Sequence, residues 1–556
     1  MVLLWHMHQP EYRDVTTGEY RLPWTYLHAI KDYVDMAAHL ERYEGARAVV
    51  NFAPILLEQL EDYGRRIQAN LETGEKIPDT LLSCLVSDDF FIENDQNRLW
   101  LIQACLRAND ERLVKRYPIY DCLVQMAQRL TSPESVSYLY RQYFIDLVVW
   151  YHLAWMGETV KRENPLIKRL IEKGRQFSHQ DRRELLSLIG QITVNIIPSY
   201  RTLMEAGKVE LSMSPYAHPM LPLLIDFDST REAMPDAPLP EAGSYPGGPE
   251  RVQWHIDQGL AVFERCFGTR PQGCWPSEGG VSDAAIRELD TAGFKWLATG
   301  DNVLNHSLIK QGLGDDCRHQ AFVLKNTESR IFFRDDGLSD LIGFTYSSWH
   351  ADDAINDLLQ HIHTIRDHCE DQNQRIVSII LDGENAWEYY PENGYYLLDT
   401  LYRRLSEDEG IHLTTYSDYM AQQENVQNLD HVVAGSWVYG TFSTWIGDPD
   451  KNRAWDLLCQ AKKDIDPWLA QHPEHDLRDK VLNQLAICEG SDWFWWFGDY
   501  NPSESVKDFD TLFRLNLTNL YTLTGLPVPD ALSLSLSAGN QQSGAEAGGV
   551  MRRGGE

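Results

Sequence analysis

Residues 273–282 constrain the fold of this chain more than any other stretch. They read Gly-Cys-Trp-Pro-Ser-Glu-Gly-Gly-Val-Ser and lie between two runs with helical spacing, 252–267 and 283–293. A short strand that ends in a loop and leads into a helix is the unit of α/β barrels, which carry their chemistry at the C-terminal ends of the strands. Glu278 lies in this loop beside Trp275 and two glycines, which leave room for a ligand. On this segment alone, a glycosidase nucleophile and a solvated loop glutamate are equally compatible.

A second acid cluster follows another short apolar run. Residues 375–381 have the composition of a buried parallel strand. They lead directly into Asp382-Gly383-Glu384, and Trp387 comes shortly after. Two carboxylates on separate strands, with aromatic residues around them, are what glycoside hydrolysis requires, one as nucleophile and the other as general acid/base. The two clusters together therefore favour a glycosidase.

Other apolar runs extend this strand–loop–helix pattern. We predict strands from the sequence at 2–6, 48–52, 209–213, 293–299 and 331–336. Strands that alternate with helical runs indicate an α/β fold of the barrel type. We therefore assign residues 1–424 to a catalytic barrel domain.

Three other regions depart from the alternating pattern. Residues from about 70 to 205 carry helical spacing with no convincing strand, which predicts an all-helical insertion in the barrel. Residues 425–532 are also helical in pattern and predict a C-terminal helical domain. Residues 533–556 are rich in Gly, Ser, Ala and Gln, which is typical of a disordered tail.

Five sequence blocks, in order over residues 1–527, resemble glycoside hydrolase family 57, the group of α-amylases, amylopullulanases and 4-α-glucanotransferases. The blocks are His-Met-His-Gln-Pro-Glu-Tyr at 6–12, Gly-Lys-Val-Glu-Leu at 207–211 with Ser-Pro-Tyr-Ala-His-Pro at 214–219, the 275–278 block, the 382–384 block, and Glu-Gly-Ser-Asp-Trp-Phe-Trp-Trp at 489–496 followed by 509–510 and 513–514. The resemblance implies an incomplete (β/α)7 barrel and a retaining mechanism on α-glucosidic bonds. It also implies that Glu278 is the nucleophile and Asp382 the acid/base. One departure is Gly300-Asp301, where many relatives carry an acidic pair.

Most of the residues expected to contact a sugar lie in these blocks, in the second acid cluster or in the predicted strand at 331–336, and Trp437 lies in a loop before the helical run at 452–471. The full set is His6, His8, Gln9, Glu210, His218, Trp275, Arg334, Asp335, Trp387, Trp437 and Trp493. Rival catalytic acids are Glu384 and the cluster Asp335, Asp336 and Asp340, in which Arg334 would hold a neighbouring carboxylate ionised.

Two other functions remain open from the residues alone. His6 and His8 would share one face of a strand, and metal-dependent hydrolases and deacetylases use such pairs with acids from later strands, here Asp335 or Asp382. A catalytically inactive carbohydrate-binding homologue would keep the fold and lose the chemistry. The family resemblance favours sugar contacts for the two histidines, so we predict neither a metal nor another cofactor.

The composition limits the partners and the compartment. A net charge of -32 argues against nucleic acid, an anionic membrane or a polyanionic substrate, and a neutral α-glucan is compatible with it. The chain shows no signal peptide and no apolar run of about 18 residues. Nine cysteines at irregular spacing, without a Cys-x-x-Cys pair, predict a cytoplasmic protein. The choice between hydrolysis and transfer, the bond type and the oligomeric state are not predicted.

Overall fold

The strands form one mixed sheet. The computed structural model describes residues 1–314, 318–369, 375–384, 386–423 and 425–540. Within them the strands are β1 (Val2–Met7), β2 (Ala48–Phe52), β3 (Val209–Met213), β4 (Gly273–Cys274), β5 (Trp296–Thr299), β6 (Phe322–Leu324), β7 (Arg330–Phe333), β8 (Ser378–Asp382) and β9 (Gln427–Leu429). Their order in the sheet is β8-β1-β2-β3-β4-β5-β7-β6-β9.

Seven parallel strands make a barrel whose last seam is narrow. The run from β8 through β1 to β5 and β7 is parallel throughout. A single parallel bridge, Arg334 to Ser378, joins β7 back to β8. Strand β6 lies antiparallel to β7 outside this ring and carries β9. The expected incomplete (β/α)7 barrel is confirmed.

The inner face of the barrel changes from apolar to polar along the strands. The register aligns Leu4 with Val49 and Ile380, and all three belong to one buried apolar cluster. Two residues further on, His6 is level with Asn51 and Asp382. Since alternate residues of a strand share a face, the polar layer lies directly above the apolar one. Polar side chains are therefore gathered at the C-terminal end of the barrel.

Helices alone fill the chain between β2 and β3, a stretch that the structure describes in full. The α-helices there are Pro54–Thr73, Thr80–Ser83, Asp89–Glu93, Asp95–Cys105, Pro118–Ala127, Pro133–Val136, Arg141–Trp155, Glu158–Glu163, Pro165–Lys173 and His179–Glu205, with a π-helical turn at Asp110–Val114. Helix Arg141–Trp155 is buried on all sides from Tyr143 onward, as an apolar sequence without a polar face requires. The predicted all-helical insertion is present.

The remaining α-helices flank the barrel or follow it. They are Trp24–His28 and Val34–Arg42, joined by the π-helical turn Ala29–Tyr33, then Leu221–Ile225, Gly248–Phe267, Asp283–Thr291, Asp301–Gln311, Asp336–Asp340, Ala351–His368, Tyr395–Glu407 and Tyr416–Gln422, and at the C-terminal end Pro449–Gln471, Arg478–Cys488, Ser491–Trp496 and Ser503–Thr524. No helix of the described residues has the length and apolar character to cross a membrane.

Two expected boundaries differ from the structure. Strand β9 pairs with β6, so the first residues of the expected C-terminal helical domain belong to the barrel sheet. Residues 533–540, expected in the disordered tail, are packed against the preceding helices. The backbone N–H of Leu536 donates to Asp510 at 2.7 Å, and Leu536 itself is buried. Leu536 lies between two serines in the sequence, so the composition of this segment did not indicate that it packs. Residues 541–556 lie outside the described part of the chain.

Candidate active site

A cavity at the C-terminal end of the barrel, where the polar layer lies, encloses about 440 Å³ of space that includes open solvent. Its lining comes from the ends of β1 and β8, the loops after β3 and β4, and the C-terminal region. The residues are His6, His8, Gln9, Pro10, Tyr12, His218, Glu278, Asp382, Glu384, Trp437, Asp492 and Phe509. Seven predicted site residues therefore line one cavity, including both predicted catalytic carboxylates.

Glu278 has a left-handed backbone conformation. It lies in the 3-10 turn Ser277–Gly279 with φ 59°, which is uncommon for a residue with a side chain. A neighbouring segment holds this turn in place. The N–H of Trp437 donates to the Glu278 carbonyl at 3.1 Å, and Val281 and Gly435 exchange backbone hydrogen bonds of 2.9 and 3.0 Å. Strained backbone of this kind persists only where the surroundings enforce it, and it is concentrated at functional sites.

The departure at Gly300 has a physical reason in this same segment. A Cβ added at Gly300 would lie 2.6 Å from the Cα of Trp437. Only glycine lets the chain that carries Trp437 pass this close. The adjacent Asp301 pairs with Arg318. Gly300 therefore allows Trp437 to reach Glu278.

Two donors hold the Glu278 carboxylate, which is 3% exposed. Ser491 Oγ donates to Oε1 at 2.8 Å, and Trp437 Nε1 donates to Oε2 at 3.2 Å. Burial and the negative charges of Asp492 and Asp382 raise the pKa of Glu278 to about 8, although both hydrogen bonds act to lower it. The carboxyl group is therefore oriented by the protein and sits in a pocket crowded with negative charge.

The two acids of the second cluster have different surroundings. Asp382 is the last residue of β8 and lies level with His6. Glu384 is fully engaged on one oxygen, since its Oε1 accepts the His8 N–H at 2.9 Å and the Tyr33 hydroxyl at 2.5 Å. Burial and the charge of Asp382 raise the pKa of Glu384 well above its usual range. Glu384 therefore keeps its proton to a higher pH than an ordinary glutamate.

Three histidines are stacked along one wall of the cavity. The ring centroids of His8 and His218 lie 3.9 Å apart, and those of His6 and His218 lie 5.0 Å apart. Burial lowers the pKa of His6 to about 3 and that of His218 well below its usual value, with the other imidazoles of the stack adding to both effects. His8 differs from them, because its Nε2 lies 2.9 Å from Asp492 Oδ1 and its buried Nδ1 has no partner. That nitrogen remains able to bond a ligand.

Ligand atoms of His8, His218 and Asp492 lie within 4.8 Å of one another, close enough for a metal group. The orientation of the rings argues against shared coordination. The planes of His6 and His8 each lie about 20° from that of His218. An imidazole binds a metal through the lone pair in its own ring plane, so stacked, nearly parallel rings do not aim at one ion. The geometry fits hydrogen bonding better than chelation.

The structure separates Glu210 from the cavity. Glu210 is level with Val49, in the apolar layer at the N-terminal half of the barrel. Its carboxylate accepts bonds from Trp296 Nε1 at 2.6 Å and from the Ser417 N–H at 3.0 Å. This position corrects the prediction that Glu210 contacts a sugar. Its side chain lies two residues below the polar layer and makes its hydrogen bonds in the barrel interior.

Trp387 and Trp493 belong to the protein core, which also differs from the prediction. Each is 1% exposed. Their indole N–H groups donate to the backbone oxygens of Gly383 at 2.8 Å and Ile487 at 2.7 Å. A satisfied, buried indole has neither a free face nor a free donor for a sugar.

Three other predicted contacts lie behind the cavity wall. Trp275 is fully buried and packs edge-on against Trp437 with 5.4 Å between ring centroids. The guanidinium of Arg334 lies 5.6 Å from the Trp437 ring and donates to the Ile380 carbonyl at 2.8 Å. Asp335 caps the following helix by accepting the Leu338 N–H at 2.8 Å. These residues support Trp437 and the strand ends rather than line the cavity.

Sequence reasoning missed several residues of the site. Ser491, Asp492 and Phe509 come from the C-terminal region, and Ser491 contacts Glu278 across 213 residues. Tyr12 lies close to Gln9, to which its hydroxyl donates at 2.8 Å. The available signal was that these residues lie in blocks of the family resemblance, at 6–12, 489–496 and 509–510. No periodicity in the chain indicates which of its residues points inward.

The comparisons with known proteins agree with this geometry. The family description "Glycosyl hydrolase family 57" matches residues 2–432. No curated protein sequence gives a significant match.

Among similar solved structures is the α-amylase AmyC from Thermotoga maritima, with 13% identity and a TM-score of 0.55, covering 94% of this chain and 92% of that one. A branching enzyme from Pyrococcus horikoshii has 16% identity and a TM-score of 0.54, covering 100% and 99%. A 4-α-glucanotransferase from Thermococcus litoralis has 13% identity and a TM-score of 0.51, covering 94% and 59%. At such identities the structures show a shared fold, while the family match spans most of the sequence. The chain belongs to glycosyl hydrolase family 57.

Proposed function

We propose that the protein is a retaining enzyme that cleaves or transfers α-glucosidic bonds of α-glucans. The observation that carries the proposal is the cavity at the barrel end, which brings Glu278 and Asp382 together and orients Glu278 by two donors. The similar structures come from an α-amylase, a branching enzyme and a 4-α-glucanotransferase. Their names share the α-glucan as substrate class, which supports the same class here.

The two carboxyl groups divide the reaction between them. Glu278, once ionised, attacks the anomeric carbon and forms a glycosyl-enzyme, while Asp382 gives its proton to the departing oxygen. In the second half, Asp382 takes a proton from water or from a sugar hydroxyl, and that oxygen displaces Glu278. Water gives hydrolysis and a sugar hydroxyl gives transfer. His8, Gln9, Tyr12 and Asp492 supply polar atoms around the sugar.

The anomeric form of azide products tests the two assignments. With a glycosyl fluoride as substrate, Asp382→Ala should still form the glycosyl-enzyme, and azide should restore turnover with retained configuration because azide needs no general base. Glu278→Ala should lose at least about 10³-fold in kcat/KM, and azide should give only inverted product. Glu384→Ala is the matched control acid. Rescue with retention in Glu384→Ala, together with near-normal activity in Asp382→Ala, would contradict the assignment.

A chain-length series separates the activities within the proposal. Incubation with maltooligosaccharides should shorten every chain if water is the acceptor, and should also yield longer chains if a sugar is. Chromatography of the products distinguishes the two. Binding of glucan without any change in chain length would support the inactive carbohydrate-binding alternative instead.

The metal-dependent alternative has one observation in its favour, the closeness of His8, His218 and Asp492. The stacked rings oppose it. Prolonged dialysis against EDTA should therefore leave turnover on maltooligosaccharides unchanged, whereas His8→Ala should weaken substrate use. Loss of activity to the chelator and its recovery with zinc would favour the metal hydrolase.

We also propose that the protein works in the reducing cytoplasm on a neutral polymer. The eight cysteines that the structure describes carry free thiols. The net charge of -32 opposes binding to nucleic acid. Sedimentation with glycogen, compared with sedimentation with a polyanion such as heparin, tests the choice of partner.

A further inference from the structure

A continuous line of buried hydrogen bonds runs from the barrel wall to Glu278. The side-chain amide of Asn51 lies 2.7 Å from His6 Nδ1, and His6 Nε2 lies 3.1 Å from His218 Nε2. His218 Nδ1 lies 2.9 Å from Ser491 Oγ, which lies 2.8 Å from Glu278 Oε1. All five side chains are buried. Each imidazole therefore uses both of its nitrogens within the line.

The count of protons leaves this line only two consistent directions. A neutral imidazole has one N–H and one lone pair, and a serine hydroxyl has one proton. An ionised Glu278 can only accept, so Ser491 must donate to it. Ser491 then accepts from His218 Nδ1–H, and the bare His218 Nε2 accepts from His6 Nε2–H. His6 Nδ1 is left as an acceptor at the far end.

Asn51 is able to begin the line in this direction. A half-turn of its amide, whose two ends differ little in shape, aims the nitrogen at His6 Nδ1. In the structure Ser214 Oγ, 2.9 Å away, donates to Asn51 Oδ1; after the half-turn the nitrogen would take this place and donate to Ser214 Oγ, and Ser214 would donate to the Trp275 carbonyl at 2.8 Å. The amide oxygen would accept from Ser212 Oγ at 3.1 Å. Every donor and acceptor of the line is then satisfied.

The opposite direction requires a protonated Glu278. Glu278 would donate to Ser491, Ser491 to His218 Nδ1, His218 Nε2–H to His6, and His6 Nδ1–H to the oxygen of Asn51. The reversal releases one proton from Glu278 and leaves one proton on each imidazole. The nitrogens that carry the imidazole protons therefore depend on the charge of the glutamate.

We propose that Ser491 is a positioning residue that aims its proton at Glu278, and that the tautomers of His6 and His218 reverse together with the charge of Glu278. The inference rests on the proposed function in taking Glu278 as nucleophile. Because the His218 Nδ1–H donates to the Ser491 oxygen, the proton of the Ser491 hydroxyl stays directed at Glu278. The hydroxyl thus stabilises the carboxylate against the neighbouring charges of Asp492 and Asp382, while His218, 3.8 Å away, stays neutral.

Histidine tautomers give a readout that does not require activity. In ¹⁵N-histidine-labelled wild-type protein, long-range ¹H–¹⁵N spectra should show His218 as Nδ1–H and His6 as Nε2–H about two pH units above the Glu278 pKa of about 8. Both should change to the other nitrogen about two units below it. Variants His6→Asn and His218→Asn assign the signals. Tautomers that stay the same at both pH values would overturn the proposal.

Kinetics of Ser491 variants test the positioning role. Ser491→Ala should lower kcat/KM roughly 10- to 100-fold, the size expected for a hydrogen bond to a charged group. It should also move the acidic limb of the pH profile to higher pH. Ser491→Thr keeps the hydroxyl and should restore the position of the limb. Ser307→Ala, a buried serine in helix Asp301–Gln311, is the control and should leave the profile unchanged.

The outcomes separate this proposal from the proposed function. A wild-type protein with no action on α-glucans would contradict the function, while the tautomer experiment would still decide the hydrogen-bond line. An active enzyme in which Ser491→Ala leaves the acidic limb in place would overturn the role of Ser491 alone. A limb that moves equally in Ser491→Ala and Ser491→Thr would also overturn it, because the hydroxyl would then not be the cause.

Discussion

At the residue scale, the ionised carboxylate of Glu278 is an unfavourable buried charge. Glu278 is buried, has a left-handed backbone and has a pKa raised to about 8 by burial and by Asp492 and Asp382. A carboxyl group whose pKa is higher in the folded state binds its proton more tightly there. Ionising it between its unfolded value of about 4.5 and about 8 therefore lowers stability as the pH rises. The proposed nucleophile thus destabilises the fold in its ionised form.

Replacing Glu278 should show how much its ionisation lowers the stability of the fold. Glu278→Gln cannot ionise, so its melting temperature should exceed that of the wild type by about 1–3 °C at pH 8 and by less at pH 5. Calorimetry at the two pH values measures the difference. Glu172→Gln, an exposed position, is the control and should show no such change with pH. A variant that is less stable than the wild type at pH 8 would contradict the charge argument.

Residue types alone could not show which of the predicted site residues line the cavity. Trp437 and Trp387 were both predicted to contact a sugar, yet only Trp437 has its N–H directed at the proposed nucleophile Glu278. Glu210 sits in a family block but one layer below the cavity. Which face a strand residue shows follows from parity along the strand, whereas the depth at which the polar layer begins depends on the register between strands. The register is not visible in one sequence.

At the element scale, a buried ion pair fastens the C-terminal region to the barrel. Glu489, next to the Gly490–Asp492 segment, accepts from Arg251 Nη2 and His255 Nε2, each at 2.8 Å. Both partners lie on helix Gly248–Phe267. Burial opposes the charge, but Arg251 and His255 together lower the pKa of Glu489 to about 2. The ion pair is therefore in place throughout the neutral range and fixes Ser491 and Asp492 over the cavity.

Breaking this pair should affect both stability and activity. Glu489→Gln leaves Arg251 buried without its counter-charge, which costs about 3–5 kcal/mol, and it should lower kcat/KM by loosening Ser491. Because the pKa of Glu489 is depressed, the stability difference should be full above about pH 4.5 and shrink toward pH 2. Urea unfolding at several pH values measures it. Glu184→Gln, in an exposed pair with Arg169, should cost less than about 1 kcal/mol.

The strands were easier to predict than their pairing partners. The runs at 48–52 and 209–213 match β2 and β3 residue for residue, because each is a short segment in which most residues are apolar, as expected for a buried parallel strand. The short strands β6 and β9, of three residues each, carry no such signal. Their pairing depends on a return of the chain after about 100 residues, which local pattern does not encode.

At the scale of the whole molecule, the barrel and the C-terminal region together form the cavity that we propose as the active site. The barrel supplies Glu278 and Asp382, and the region after residue 432 supplies Trp437, Asp492 and Phe509 to the same cavity and Ser491 as a donor to Glu278. We therefore expect the C-terminal region to be needed for the proposed reaction as well as for covering apolar surface. The sequence predicted sugar contacts from this region at Trp437 and Trp493, but not the contribution of Ser491 and Asp492.

Truncations test this organisation. Ending the chain after residue 540 should leave activity and melting temperature nearly unchanged. Ending it after residue 532 should lower the melting temperature, because the bonds from Leu536 to Asp510 and from Asn540 to Asn501, both 2.7 Å, are lost. Ending it after residue 424 should abolish activity even where protein remains in solution. Equal stability of the 532 and 540 truncations would contradict the packing of this segment.

The most direct test of the account is to trap the covalent intermediate. A maltosyl fluoride carrying a fluorine on the ring, which slows release of the sugar, should label the Asp382→Ala variant with one maltosyl unit per chain. Peptide mapping by mass spectrometry should place that unit on Glu278, and Glu278→Gln should remain unlabelled. Label on Asp382, Glu384 or Asp492 in the wild type, or unlabelled enzyme that releases product of inverted configuration, would contradict the account.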